Sequence, residues 1–416
     1  MKLVKMSLAA IVAAGALSSV ASATPLEEAI KNVDVSGYAR YRFDSTQTDN
    51  GTTKDSAIAY HRFTSTIDFK AALDDNFFGV IGFRYDSRDL SGDGDNVNNT
   101  NVGQTMTTQA DQGFDNYGQT FNVRQFLLGY KIGNTTIQAG RQVLGTFFTD
   151  DMVGTGLKVL NTDITGLTLA AIAFDDLQRD RHIGTNALGL QRLTNGVQTP
   201  VFTSDNNLYG VAAIGSYDPV SFQLWYALLQ DVADLYAVDV AVSFDVTSDI
   251  NLGFQGQYGA SSIYDWYSHQ NVKDADFWAL QAKFNGFGVD ARAGYVDFST
   301  DGISLVSYED QGKFIEAGED LYDTYSGFFG DNNYWFLVAG YTFDKFRVGV
   351  DYVDGKRTTN LAIGEQDAYE IVGRLNYNYS KKLKFQTFWS HYEIDAKANV
   401  NDFKNDHFRF EARYNF

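Results

Sequence analysis

Asp150 and Asp151 stand side by side in TFFTDDMVGTG, next to Phe147 and Phe148. Such an acidic pair is either a solvated turn or a source of local negative field and hard oxygen ligands. A second acidic stretch, DLSGDGDNVNN, invites comparison with a calcium-binding EF-hand loop and does not sustain it. Counting from Asp93, the fifth position is Val97, the sixth is Asn98 where glycine is needed, and the twelfth is Gln104 where a glutamate is needed. It reads instead as a polar loop. The histidines, His61, His182, His269, His391 and His407, have no zinc spacing. There is no G-x-S-x-G or phosphate-loop pattern either. With no cysteine, thiolate metal sites, disulfides and cysteine nucleophiles are excluded. No catalytic residue is predicted, and the chain is not read as an enzyme.

Composition narrows the classes further. The 416 residues carry a formal charge of −19, which lacks the basic footprint that nucleic acid binding requires. Phe and Tyr number 32 and 25, and there are three prolines, Pro25, Pro200 and Pro219. Mean hydropathy is −0.26. The first 23 residues read as a secretory signal: Lys2 and Lys5, an apolar run from Met6 to Val20, then Ala21-Ser22-Ala23. Cleavage is predicted between Ala23 and Thr24. TPLEEAIKN then reads as one or two helical turns within a short periplasmic segment, residues 24–32.

Beyond it the period changes to two. VDVSGYARYRFD sets Val33, Val35, Ala39, Tyr41 and Phe43 on one face and Asp34, Ser36, Arg40, Arg42 and Asp44 on the other, as a strand with one apolar and one wet side does. Eighteen such segments recur, centred in 33–44, 58–72, 77–87, 120–132, 135–145, 156–162, 167–175, 207–217, 220–231, 235–246, 250–260, 276–285, 287–299, 333–343, 346–353, 367–379, 383–394 and 407–416. Every second connector is a tight turn (LDDN, IGN, DITG, YDP, TSD, NG, DK, SKK), and most of the others are longer and polar. A soluble β-sandwich or propeller also alternates. Strict long–short alternation, aromatics at strand ends and an even strand count belong to an outer-membrane barrel. Segments of roughly 9–11 residues suit tilted membrane strands, and eighteen of them leave an aqueous lumen. The predicted fold is therefore all-β: a transmembrane antiparallel β-barrel over residues 33–416, with short periplasmic turns and long extracellular loops.

TPLEEAIKNVDVSGYARYRF, VGTGLKVLN, GLTLAAIAFD, NLYGVAAIGSYD, YEDQGKFIEAGED, GYTFDKFRVGVDYVDG and the terminal strand resemble the major outer membrane protein porins of Campylobacter and related epsilonproteobacteria. The resemblance runs over essentially the whole chain. It implies an eighteen-stranded homotrimeric porin in the cell outer membrane, a channel for ions and small hydrophilic solutes, and exposed variable loops. It also implies that no cofactor is needed beyond a structural calcium at the constriction. The ligands carried over are Asp150 or Asp151, one of Asp175, Asp176 and Asp180 with Asp180 preferred, and Glu309. Alternatives within the same barrel are a surface adhesin or structural protein and a substrate-specific channel.

In porins the third outer loop folds inward, here residues 146–156 with Asp150 and Asp151. Opposite it the polar strand parity supplies Arg40, Arg42, Arg62, Arg84, Arg347, Arg374, Arg409 and Arg413. Closing the barrel makes the seam arginines neighbours, which predicts a transverse field and, with the net charge, a preference for cations. Some of these charges are expected to pair on the wall with Asp34, Asp351 or Glu411. The ending HFRFEARYNF alternates to the last residue, and Tyr414 with Phe416 resembles the signal read by the barrel-assembly machinery. Outer-membrane lipid is the expected surrounding.

Overall fold

The computed structural model describes residues 33–51, 54–87, 121–178, 191–194, 197–200, 206–264, 271–359, 361–395 and 402–416. The predicted signal segment, residues 24–32, Asp180 and the EF-hand-like stretch lie outside them. Among the described residues twenty strands form in chain order. The first seven are β1 (Asp34–Asp49), β2 (Lys54–Ala72), β3 (Phe77–Asp86), β4 (Phe121–Ile132), β5 (Thr135–Val143), β6 (Val153–Asn161) and β7 (Leu167–Gln178). A separate two-stranded hairpin, β8 (Gln191–Thr194) and β9 (Val197–Pro200), follows. Then come β10 (Leu208–Tyr217), β11 (Val220–Leu229), β12 (Ala233–Asp245), β13 (Ile250–Ile263), β14 (Ala275–Gly286) and β15 (Val289–Thr300). The chain finishes with β16 (Asn332–Phe343), β17 (Phe346–Thr358), β18 (Glu365–Asn378), β19 (Leu383–Ile394) and β20 (Phe403–Asn415).

Apart from the hairpin, all strands belong to one eighteen-stranded antiparallel sheet, each paired with its barrel neighbours in sequence. The sheet closes because β1 pairs with both β2 and β20. Closure satisfies every edge, which is the condition for a sheet to cross hydrocarbon. The seam runs to the end of the chain: Gly37 donates its amide hydrogen to the Phe416 carbonyl at 3.2 Å, and Phe416 donates to the Gly37 carbonyl at 3.1 Å. Among the described residues no helix is long and apolar enough to cross a membrane; the crossing is made by strands.

All eighteen predicted segments coincide with barrel strands, and the differences are at boundaries. The turn between β14 and β15 is Phe287-Gly288, both in the left-handed region at φ 53° and 81°, and not Asn285-Gly286, which finish β14. Two consecutive left-handed residues suit the right-handed twist of a two-residue hairpin. β6 begins at Val153, so residues 153–156, read as part of the inward loop, are already wall.

The outward parity is apolar, as in Phe126, Leu280 and Leu337. Near the rim of short turns the rings Phe343, Phe346, Tyr377, Phe385 and Phe410 stack from strand to strand, with centroids 4.5–6.3 Å apart. This is an aromatic girdle. The inward parity splits the barrel in two. On β1–β3 and β17–β20 it is charged. On β10–β16 it is mostly apolar, with Ala227, Leu229, Leu235, Phe277, Phe298 and Tyr334 fully buried, and it turns polar at Asp239, Gln257, Gln281, Lys283, Asp290 and Arg292. What buries them is residues 301–331, the connection from β15 to β16, which the sequence suggested was an outer loop. It folds into the lumen and packs Leu305, Tyr308, Phe314, Leu321, Tyr322 and Tyr325 against that wall.

Candidate pore constriction

The short inward loop, residues 144–152, is shaped by its own threonines. Thr146 and Thr149 bring their hydroxyls to 2.9 Å, and the Phe148 amide donates to the Thr146 hydroxyl at 3.3 Å. That turn buries Phe147 and Phe148 completely. Phe147 meets Phe314 edge-on at 4.9 Å, and Phe148 meets Tyr308 at 6.1 Å. The backbone joins in, since the Tyr308 and Lys313 amides donate to the carbonyls of Phe148 and Phe147, each at 2.8 Å. Gly312 sits in the left-handed region at φ 62° where a Cβ would lie 2.5 Å from the Phe147 carbonyl oxygen, so only glycine permits this approach.

Glu309 completes the joint. Its Oε2 accepts the amide hydrogens of Asp150, Asp151 and Met152 at 2.9, 2.8 and 2.7 Å. The carboxylate is buried, and three N–H donors offset the cost of desolvating it. The long inward segment, here called the strap, is held to the far wall by a second glutamate used in the same manner. Glu370 on β18 accepts the amide hydrogens of Glu319, Asp320 and Leu321 at 2.9–3.2 Å, and the Ser390 hydroxyl donates to it at 2.7 Å. Two tyrosines tie the strap to the wall: the Tyr325 hydroxyl lies 2.6 Å from that of Tyr334 on β16, and the Tyr322 hydroxyl donates to the Lys356 carbonyl on β17 at 2.8 Å. Burial pushes the Tyr322 and Tyr325 phenols well above their usual range, so both stay neutral hydrogen-bond donors.

The acidic pair does not meet the seam arginines. Asp150 pairs with Lys313 and Asp151 with Arg124, both at 3.2 Å. The acids that reach the arginine wall belong to the strap tip: Glu319 pairs with Arg374, and Asp320 accepts from His407 Nδ1 at 2.8 Å.

Closure does bring the seam arginines together. Arg40 stands opposite Arg413, and Arg42 opposite both Arg62 and Glu411. They are interleaved with wall acids. Arg42 lies 2.5 Å from Glu411, Arg409 lies 2.5 Å from Asp44, Arg374 lies 2.5 Å from Asp351, and Arg62 and Arg84 converge on Asp86. Arg413 packs over the Tyr38 ring at 4.0 Å. Arg347 stands apart and pairs with Asp290 at 2.5 Å.

Arg124, Lys313, Glu316, Glu319, Asp320 and His407 were not foreseen in this role. Only the apolar content of FIEAGEDLY within a supposed outer loop could have signalled it. His61 lies elsewhere, on the outward parity beside Tyr41 at 2.7 Å.

For calcium the described residues are incomplete. Glu309 Oε2 is engaged by three amides, and each aspartate has a cationic partner. Among the described residues no three acidic or histidine side chains are gathered for a metal.

The sequence matches the family described as Campylobacter major outer membrane protein over residues 1–416. The chain belongs to that family. It is an outer-membrane porin. No curated protein matches its sequence. Among solved structures it is similar to Pseudomonas aeruginosa OpdQ, with a TM-score of 0.67 at 12% identity over 94% of this chain and 99% of that one. It is also similar to Acinetobacter baumannii OccAB3, with a TM-score of 0.66 at 12% identity over 92% and 99%. A BenF-like porin from Pseudomonas fluorescens Pf-5 gives 0.67 at 12% over 93% and 99%. At such identities the likeness is one of fold. In this porin the short loop and the strap therefore narrow a barrel lumen, and the polar half of the wall lines the remaining passage.

Proposed function

We propose that this porin passes ions and small hydrophilic solutes by passive diffusion and prefers cations. One observation carries the preference: the seam arginines are buried against wall acids, whereas Asp150, although it pairs with Lys313, keeps most of its carboxylate open to the lumen water. The Arg62 and Arg84 side chains are 7% and 6% exposed and share Asp86, whereas the Asp150 side chain is 60% exposed at the narrowed level. A low-dielectric wall lined by one unscreened sign of charge focuses its field into the water it encloses. The test is a planar-bilayer recording under a KCl gradient. A reversal potential toward that of potassium supports the preference, and one toward chloride removes it.

The working unit is proposed to be a homotrimer, exported with its signal segment removed after Ala23 and inserted by the assembly machinery that reads Tyr414 and Phe416. Conductance steps in threes and the mature N-terminus check these points. A structural calcium belongs to the same proposal only with Asp180 adding oxygens to Asp150 and Asp151, since Glu309 is held by its amides. Metal content after dialysis, and melting with and without a chelator, decide it.

A further inference from the structure

Beneath the strap tip, in the half of the barrel nearer the short turns, lies a cavity of about 400 Å³. Its lining carries four basic and four acidic side chains. Two of the basic ones are satisfied: Arg347 by Asp290, and Arg374 by Asp351 and Glu319. The remaining three charged groups are not.

Lys283 on β14 and Arg292 on β15 stand directly opposite each other in the ladder, both on the inward parity. Like charges in that position repel, and at the arginine seam wall acids such as Glu411 and Asp86 are interposed. Here none is: among the described residues neither forms an ion pair. Lys283 donates to the Gln255 side-chain oxygen at 2.9 Å, and Arg292 donates to the Glu316 backbone carbonyl at 2.6 Å while lying over the Phe336 ring at 5.4 Å. The Glu316 carboxylate, on the strap above them, has no hydrogen-bond or ion-pair partner among the described residues.

We propose that this cavity is a subsite for a small zwitterion, an amino acid whose carboxylate lies between Lys283 and Arg292 and whose ammonium faces Glu316. The balanced lining favours this over a simple ion. A lone anion would meet the carboxylates and a lone cation the guanidinium groups, whereas a dipole of matching direction is opposed by neither. Arg292 is pre-oriented by the strap carbonyl and by Phe336, so little side-chain freedom is lost on binding. The subsite rests on the porin reading and makes the channel facilitating rather than indifferent for such solutes.

The test uses proteoliposomes of the whole protein and three probes with one skeleton: L-alanine, propionate, which lacks the ammonium, and ethylammonium, which lacks the carboxylate. Alanine entry is expected to saturate with concentration, and the two single-charge probes are not expected to. Lys283→Gln should raise the half-saturating alanine concentration by about two- to five-fold, the range for a water-exposed ion pair. Glu316→Gln should do the same for alanine and improve propionate. Both side chains project into open lumen, and KCl conductance of each variant reports that the barrel has formed. Unsaturable alanine entry equal to that of glycerol would overturn the subsite. So would saturation indifferent to Glu316→Gln, which would make it a carboxylate site. Either result leaves the porin reading standing while KCl conductance persists; loss of conductance in the unmodified protein is what would end that reading.

Discussion

Glu309 accepts the amide hydrogen of Asp151 at 2.8 Å across 158 residues of sequence. With the neighbouring amides of Asp150 and Met152 on the same oxygen, this contact joins two loops that enter the lumen from different strands. Neither loop is held inward by its own sequence alone. The constriction is thus one braced unit.

Replacing Glu309 with Ala should release that brace. Three amides would lose their acceptor; the buried one, of Met152, costs roughly 1–3 kcal/mol if left unsatisfied, and the half-buried ones of Asp150 and Asp151 cost less because water can reach them. The expected outcome is a larger single-channel conductance with more open-channel noise, and a lower melting temperature. A quiet channel of unchanged conductance would show that the Phe147–Phe314 packing suffices.

Gly318→Ala tests the joint that holds the strap tip to Glu370. Gly318 has φ 84°, and a Cβ there would lie 2.2 Å from Glu370 Oε2. The strain of a left-handed alanine, about 1–2 kcal/mol, adds to that clash. Conductance should rise and become heterogeneous while the barrel itself stays folded, as heat-resistant migration on gels would report.

Charge can be tested separately from shape. Asp150→Asn with Asp151→Asn should move the reversal potential toward zero, and Arg62→Gln should move it little because Asp86 retains Arg84. If the aspartate pair changes nothing, the cation preference must come from the strap acids or the outer loops.

Deleting Phe416 removes the two backbone bonds to Gly37 and the terminal ring. Barrel yield in the outer membrane should fall severalfold, while the molecules that insert conduct normally, because the ring is outward and the lumen-facing Arg409, Glu411 and Arg413 are untouched. Normal yield would reduce the ending to an ordinary apolar strand.

The sequence by itself determined the wall. A two-residue period is local, and it assigned residues such as Phe408 and Arg409 to opposite faces before any partner was known. Turn chemistry set the alternation of short and long connections. The seam followed as well, since a closed sheet leaves HFRFEARYNF, already paired with the preceding strand, no partner on its free side but VDVSGYARYRFD. The tertiary structure decided the lumen. Residues 301–331 have no period, and their aromatic side chains find burial because β10–β16 present Phe277, Phe298 and Tyr334 inward and the short loop adds Phe147 and Phe148. Which acid meets which arginine was decided there too: Asp150 and Asp151 were legible as an acidic pair, but their partners Lys313 and Arg124, and the approach of Glu319 to Arg374, depend on two loops meeting in space. Charge pairing across a lumen is a property of distances between strands remote in sequence, and no local pattern encodes those distances.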